Sequence, residues 1–85
     1  MSELTLDELR TIMTECAGAA DGVEPDEDIR DIEFGLLGYD SIALLETAAR
    51  LERDYGISFE DEAIGQARTP RALLDMVNNA LADAA

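Results

Sequence analysis

Three stretches of the chain carry apolar residues at helical spacing between recognisable start and stop signals, a pattern typical of an all-helical fold. The first stretch starts at Thr5 and Glu8, which fit a capping box, a motif in which each side chain accepts a hydrogen bond from a free N–H group at the helix start. This helix is predicted to run for about four turns and to end between Gly18 and Gly22. Its apolar stripe is Leu6, Leu9, Met13, Cys16 and Ala20.

The second stretch is predicted to begin at Asp40 or Ser41 and to end at Gly56, since glycine readily takes the left-handed conformation that follows a helix. Its inward face is Leu44, Ala48, Leu51 and Tyr55. The last helix has Thr69 as its N-cap and Pro70 as its first residue. Its buried stripe is Leu73 or Leu74, Val77 and Leu81.

The segments between these helices complete the predicted architecture. After Gly56, Ile57 and Phe59 provide two anchors, and a short helix is predicted from residues 60–62 to Gly65. Residues 21–40 show no sustained period and are predicted to form a long loop, with a short helical turn as one option. Five apolar residues are expected to hold this loop on the core: Ile29, Ile32, Phe34, Leu36 and Leu37. We therefore expect a single all-α domain over residues 1–85, a bundle of three main helices plus one short helix.

The charge balance limits the classes of partner. Twenty Asp and Glu residues face six Arg and no Lys, which gives a formal net charge of −14. Because phosphate binding depends on Lys and Arg, neither nucleic acid nor an anionic membrane is expected as a partner, whereas a protein with a basic surface is. The N-terminal residues do not resemble a signal peptide and no apolar run is long enough to span a bilayer, so we expect a cytoplasmic protein.

The absence of histidine and the single cysteine exclude several kinds of chemistry. Ser–His and Cys–His dyads, His-ligated zinc and Cys-cluster metal sites all need residues that this chain lacks, so we expect no catalytic residue and no metal ligand. Cys16 is expected to act as a small buried apolar residue.

The acidic first loop was tested against the EF-hand pattern, which needs oxygen ligands at positions 1, 3 and 5 and glycine at position 6. In the register that starts at Asp26, position 5 is Arg30 and position 6 is Asp31. In the register that starts at Asp21, position 3 is Val23. Both registers fail, so this stretch is interpreted as a solvated acidic loop.

Ser41 is the side chain best placed to carry chemistry. The start of a helix presents free backbone N–H groups and the positive end of the helix dipole, and both favour a phosphate group. The alternative is that Asp40 or Ser41 is only an N-cap, a position that both residue types favour. Nothing in the chain supplies a base, so Ser41 is not expected to catalyse its own modification.

The outward face of the second helix carries fewer charges than a face that only contacts solvent. Ile42 and Ala49 lie there between Glu46 and Arg53. Aliphatic side chains framed by carboxylates favour a docking surface, although isolated apolar residues are common on protein surfaces.

Residues 38–42, Gly-Tyr-Asp-Ser-Ile, resemble the phosphopantetheine attachment signature of acyl carrier proteins, usually Gly-x-Asp-Ser-Leu. The longer stretches GYDSIALLETAARLERDYGISFEDE and TPRALLDMVNNALA are similar to carrier proteins of bacterial type II (aromatic) polyketide synthases, and the similarity covers about residues 4–81. Tyr39 and the Thr69-Pro70-Arg71 helix start favour this branch over fatty-acid carriers. Ile42 departs from the usual Leu and also occurs in some peptidyl carriers.

The resemblance implies a carrier without catalytic activity of its own. A phosphopantetheinyl transferase that recognises Asp40 would attach 4′-phosphopantetheine from coenzyme A to Ser41, and the arm would hold malonyl units and the growing polyketide as thioesters. The other implied partners of this monomer are a malonyl transferase, a ketosynthase with its chain-length factor, a ketoreductase and an aromatase/cyclase. The implied docking stripe is Ile42, Leu45, Glu46, Ala49 and Glu52.

Two alternatives to the polyketide carrier stay open at this point. The first is a fatty-acyl or peptidyl carrier that uses the same arm. The second belongs to another class and is an acidic protein-interaction module in which Ser41 serves only as a helix cap.

Overall fold

The computed structural model describes residues 3–20, 22–24 and 27–84, and within these residues it contains α-helices and one 3₁₀ turn but no strand. The elements in chain order are α1 (Leu6–Ala17), the 3₁₀ turn (Phe34–Leu37), α2 (Ser41–Tyr55), α3 (Asp61–Gln66) and α4 (Pro70–Ala84). The predicted bundle of three main helices, one short helix and a long first loop is confirmed. No helix in the described ranges has both the length and the apolar character needed to cross a membrane. Asp21 and Asp26, the starting points of the two calcium registers, lie outside the described residues.

The helix ends follow the predicted capping chemistry. Thr5 Oγ1 accepts a hydrogen bond from the Glu8 N–H (3.2 Å) while Glu8 Oε1 accepts one from the Thr5 N–H (3.1 Å), which completes the capping box. Gly56 follows α2 with a φ of +68°, a conformation that favours glycine. At the start of α4, Thr69 Oγ1 accepts a hydrogen bond from the backbone of Ala72.

The core lies between α1, α2 and α4, with α3 packed on α2. The predicted inward residues Leu9, Leu51 and Val77 are fully buried. Thr47 is also fully buried, which the apolar pattern did not predict, because the pattern counts only apolar side chains. Its hydroxyl donates a hydrogen bond to the Ala43 carbonyl one turn earlier (2.9 Å), so burial leaves no polar atom without a partner.

The long loop is held on the core by Ile29, Phe34 and Leu37, which are buried as predicted, while Ile32 is only half-buried. The prediction for Leu36 was wrong, because 72% of this residue is exposed. A 3₁₀ helix has three residues per turn, so Phe34 and Leu37 share the inward side and Leu36 lies on the outward side.

The end of the loop is tied to the segment between α3 and α4. The Phe34 N–H donates a hydrogen bond to the Arg68 carbonyl (2.8 Å), and the Arg71 N–H donates one to the Arg30 carbonyl (2.9 Å). The Arg71 guanidinium also pairs with the Asp31 carboxylate at 2.7 Å. These contacts fix the 3₁₀ turn, and with it the start of α2, against the start of α4.

Candidate functional site

The residues just before α2 form a turn that is fixed from both sides. Gly38 has a φ of +87°, a region that favours glycine, and it ends the 3₁₀ turn by donating its N–H to the Gly35 carbonyl. Tyr39 is buried, its hydroxyl donates to the Gly18 carbonyl at the end of α1 (2.9 Å), and its ring meets Phe34 edge-on with 6.3 Å between ring centroids. The sequence singled out Tyr39 only through the family resemblance; the structure shows that it anchors the site.

Asp40 is the N-cap of α2. Its Oδ1 accepts a hydrogen bond from the Ala43 N–H at 2.8 Å, and its carbonyl accepts one from the Leu44 N–H at 3.1 Å. Ser41 is the first helical residue, is exposed, and its hydroxyl makes no hydrogen bond with the described part of the chain. Of the two candidates for the cap, Asp40 therefore fills the position and the Ser41 hydroxyl is not used to hold the helix.

The start of α2 has the electrostatic character that a phosphate ester needs. The first N–H groups of a helix have no intrahelical acceptor, and here Asp40 satisfies only the one at Ala43. The N–H groups of Ser41 and Ile42, together with the helix dipole, favour a negative group next to the Ser41 hydroxyl. Asp40 brings a carboxylate to the same place, which partly offsets this positive field.

Two surface cavities meet at Ser41, and together we call them the Ser41 groove. The larger has a volume of about 400 Å³ and lies between the 3₁₀ turn, the start of α2 and the α3–α4 segment, with Leu36, Ser41, Leu44 and Arg68 in its lining. The smaller has a volume of about 190 Å³ and extends along α2 and α3 past Leu45. An exposed hydroxyl at a helix start beside a partly apolar groove fits a phosphopantetheine group, whose phosphate would sit on Ser41.

Exposed apolar side chains are concentrated around Ser41. Three large hydrophobic residues of the described ranges are exposed: Leu36 (72%), Ile42 (67%) and Leu45 (43%). All three lie within five residues of Ser41 in the sequence. Sequence reasoning missed Leu36 as a surface residue, although the three-residue spacing of Phe34 and Leu37 could have indicated it. A local cluster of this kind is typical of a binding surface.

The docking stripe divides into two parts. Ile42, Leu45, Glu46 and Ala49 are exposed, and Glu46 forms no ion pair with any described residue. Glu52 is half-buried, and its Oε2 accepts a hydrogen bond from the Phe59 N–H (2.8 Å), so this carboxylate also holds the chain that follows α2.

Groups of carboxylates suited to a metal ion do not occur among the described residues. In the acidic loop, Arg30 donates side-chain and backbone hydrogen bonds to Asp28 and thereby lowers the pKa of that carboxyl to about 2. Cys16 is half-buried on α1 and packs against the core.

Comparisons with known proteins agree with this geometry. The family model described as "Phosphopantetheine attachment site" matches residues 7–77. The chain is 55% identical over 85 residues to the granaticin polyketide synthase acyl carrier protein of Streptomyces violaceoruber, covering 100% of both proteins. It is 54% identical over 82 residues to the actinorhodin polyketide synthase acyl carrier protein of Streptomyces coelicolor, covering 96% of this chain and 95% of the relative.

The fold agrees with a solved carrier structure as well. The structure of the actinorhodin holo acyl carrier protein from S. coelicolor superposes with a TM-score of 0.84 at 51% identity, over 99% of this chain and 98% of that one. The chain therefore belongs to the phosphopantetheine-binding acyl carrier proteins of polyketide synthases, which are non-catalytic subunits that carry acyl intermediates on a covalently attached arm.

Proposed function

We propose that Ser41 is the attachment residue for 4′-phosphopantetheine and that the chain carries malonyl units and the growing polyketide among the enzymes of a synthase. The observation that supports this assignment most strongly is the division of roles at the start of α2. Asp40 caps the helix, so the exposed Ser41 hydroxyl is available to form a phosphodiester without loss of the cap.

The residues of this chain contribute position and electrostatics rather than catalysis. Ser41 Oγ forms the new bond to the phosphorus that carries the pantetheine group in coenzyme A, the pyrophosphate P–O bond breaks, and adenosine 3′,5′-bisphosphate leaves. We assign the base that takes the Ser41 proton to the transferase, since the chain has no histidine. The free N–H groups at the start of α2 stabilise the negative charge on the bound phosphate. We also propose that the transferase recognises Asp40, which is exposed beside the hydroxyl. When bound, the arm supplies a terminal thiol that holds acyl groups as thioesters.

As an acyl carrier of a polyketide synthase, the chain works with synthase enzymes. The finer proposal is that these are a phosphopantetheinyl transferase, a malonyl transferase, a ketosynthase with its chain-length factor, a ketoreductase and an aromatase/cyclase in the cytoplasm. Residues 1–85 would act as one monomeric carrier domain. The names of the relatives support a polyketide carrier over the fatty-acyl or peptidyl alternative.

We propose that these partners contact the exposed part of the docking stripe, namely Ile42, Leu45, Glu46 and Ala49. Two observations support this. The apolar side chains of the stripe lie beside Ser41, so a partner seated on them is close to the arm. The Glu46 carboxylate forms no ion pair with any described residue, so an Arg or Lys of the partner can bind it. Glu52 would contribute less, since its carboxylate already accepts a hydrogen bond from Phe59.

Incubation of the purified chain with coenzyme A, Mg²⁺ and a broad-specificity transferase tests the attachment residue. The intact mass of the parent protein should rise by one phosphopantetheine group, and Ser41→Ala should show no increase. Ser58→Ala is the matched control, because Ser58 is also exposed and lies beyond the other end of α2; it should be modified like the parent. Modification of Ser41→Ala would refute the proposal.

A further inference from the structure

The lining of the Ser41 groove contains more negatively charged than positively charged residues. Glu33 and Asp40 are carboxylates, and Arg68 is the one cation among the described lining residues. A phosphodiester on Ser41 would add another negative charge next to Asp40, in a chain that already has a net charge of −14. Among the described lining residues, Arg68 is the one whose charge attracts a phosphate.

Arg68 differs from the other arginines of the chain in its partners. Within the described residues its guanidinium has no hydrogen bond or ion pair, although the chain contains twenty acidic residues. The other five are all engaged: Arg10 with the carbonyls of Glu24 and Glu27, Arg30 with Asp28, Arg50 with Glu15 and Asp54, Arg53 with Asp54 and Arg71 with Asp31. Arg68 therefore has its full hydrogen-bonding capacity available to a ligand.

The backbone of Arg68 is held at a fixed place relative to Ser41. Its carbonyl accepts the Phe34 N–H at 2.8 Å, the preceding Ala67 is buried, and the following Thr69 caps α4. Arg68 lines the same cavity as Ser41. A group bonded to Ser41 Oγ therefore enters a cavity that Arg68 also borders.

We infer that the Arg68 guanidinium binds the phosphodiester that joins the arm to Ser41, an inference that rests on the proposed function. The planar guanidinium can donate two parallel hydrogen bonds to phosphate oxygens, a geometry that lysine cannot match. The phosphate is the anion selected, because it is bonded directly to Ser41, whereas the carboxylate of a malonyl group lies at the far end of the arm. The pairing holds the first part of the arm in the groove.

The expected effect is small, because Arg68 is exposed. Exposed ion pairs are worth about 0.2–1 kcal/mol, which corresponds to a population bias of up to roughly fivefold, and added salt should weaken it. The test must therefore observe the two groups themselves. Suitable signals are the ³¹P resonance of the phosphodiester and the Nε–H resonance of the Arg68 guanidinium, both recorded by NMR in low salt.

The experiment compares the apo and holo forms of the parent protein with holo Arg68→Gln and holo Arg53→Gln. Arg53 is the matched control, since it is exposed and lies 12 residues after Ser41 in α2, about 18 Å along the helix axis. We expect the Arg68 Nε–H signal to shift between the apo and holo forms and its exchange with water to slow by up to roughly fivefold. The ³¹P signal should change in holo Arg68→Gln but not in holo Arg53→Gln, and 0.5 M NaCl should reduce both effects.

Several outcomes would overturn the inference. These are an unchanged Arg68 signal on conversion to the holo form, identical ³¹P spectra for the parent and Arg68→Gln, or a response that arises only after malonyl loading. The last result would show that the guanidinium binds the acyl carboxylate instead. Intact mass is recorded on every sample to show whether the arm is attached. Absence of the arm would count against Ser41 as the attachment residue. An attached arm without an Arg68 response would count against this inference alone.

Discussion

The two ends of α2 are built for different purposes. At the C-terminal end, Arg50 pairs with Glu15 of α1 (2.9 Å) and with Asp54 (2.6 Å), and Glu52 accepts the Phe59 N–H. At the N-terminal end, the Ser41 hydroxyl has no hydrogen bond within the described residues. Within the described residues, the hydrogen bonds and ion pairs that α2 side chains make to other segments thus come from Arg50 and Glu52, in the C-terminal half of the helix.

The electrostatics of the two ends differ in the same way. Hydrogen bonds from Arg50 hold the pKa of Asp54 below its ordinary range, so this carboxylate stays charged to a lower pH than an unpaired aspartate. At the other end, Arg68 and Glu46 have no charged partner in the described part of the chain. Unpaired charges and exposed apolar side chains around Ser41 are what a carrier needs if it must bind and release several enzymes.

The largest difference between the two ends should be seen in core packing. Leu51→Ala removes a fully buried side chain from the C-terminal half of α2 and should lower the free energy of unfolding by about 2–5 kcal/mol. Leu36→Ala truncates a leucine side chain in the same way, but at an exposed position near Ser41. It should change the free energy of unfolding by about 0.5 kcal/mol or less. Urea denaturation of the apo proteins measures both. Comparable losses in the two variants would contradict the contrast between the buried face of α2 at Leu51 and the exposed apolar surface around Ser41.

An intermediate effect is expected from the cap of α2. Asp40→Ala removes the side chain that accepts the Ala43 N–H and should lower the free energy of unfolding by about 0.5–2 kcal/mol. Ser41→Ala removes a hydroxyl without a hydrogen-bond partner in the described residues and should change it by about 0.5 kcal/mol or less. Urea denaturation of the two apo variants measures both free energies of unfolding and so tests whether Asp40 or Ser41 caps α2. If Ser41→Ala proves the more destabilising of the two, the serine is the true cap.

The smallest effect should come from a surface charge. Glu46→Arg should leave the far-UV circular dichroism unchanged and reduce kcat/KM for transfer from the loaded carrier to the ketosynthase several-fold, because the carboxylate no longer attracts a basic partner surface. Asp83→Arg makes the same charge change beside Gly56 and Ser58, at the other end of α2, and serves as the control. Equal rates for Glu46→Arg and the parent would remove Glu46 from the docking stripe.

Features that depend on local chemistry were predictable from the sequence. The capping box at Thr5, the glycine after α2 and the Thr69-Pro70 start of α4 each act through neighbouring residues, and all three are confirmed. The family was identified for a related reason, because the Gly-Tyr-Asp-Ser-Ile motif is a short continuous segment.

Features that depend on the fold were not predictable in the same way. The sequence allowed either Asp40 or Ser41 to cap α2, and only the backbone geometry distinguishes them. Leu36 was expected in the core because its side chain is apolar. Its outward position follows from the 3₁₀ turn, which the sequence allowed only as one option for this loop. The Arg68 guanidinium has no partner among the described residues, and this depends on where the α3–α4 segment places it relative to the acidic residues. No local sequence pattern contains that information.

The most direct test of the proposed attachment site is to locate the arm on the protein isolated from its producing cells. Trypsin cleaves after Arg30 and Arg50, and the peptide of residues 31–50 contains Ser41 as its only serine. Tandem mass spectrometry should find the phosphopantetheine group on this peptide, with acyl groups on its thiol. An arm on the peptide that contains Ser58, with residues 31–50 unmodified, would contradict the assignment of Ser41.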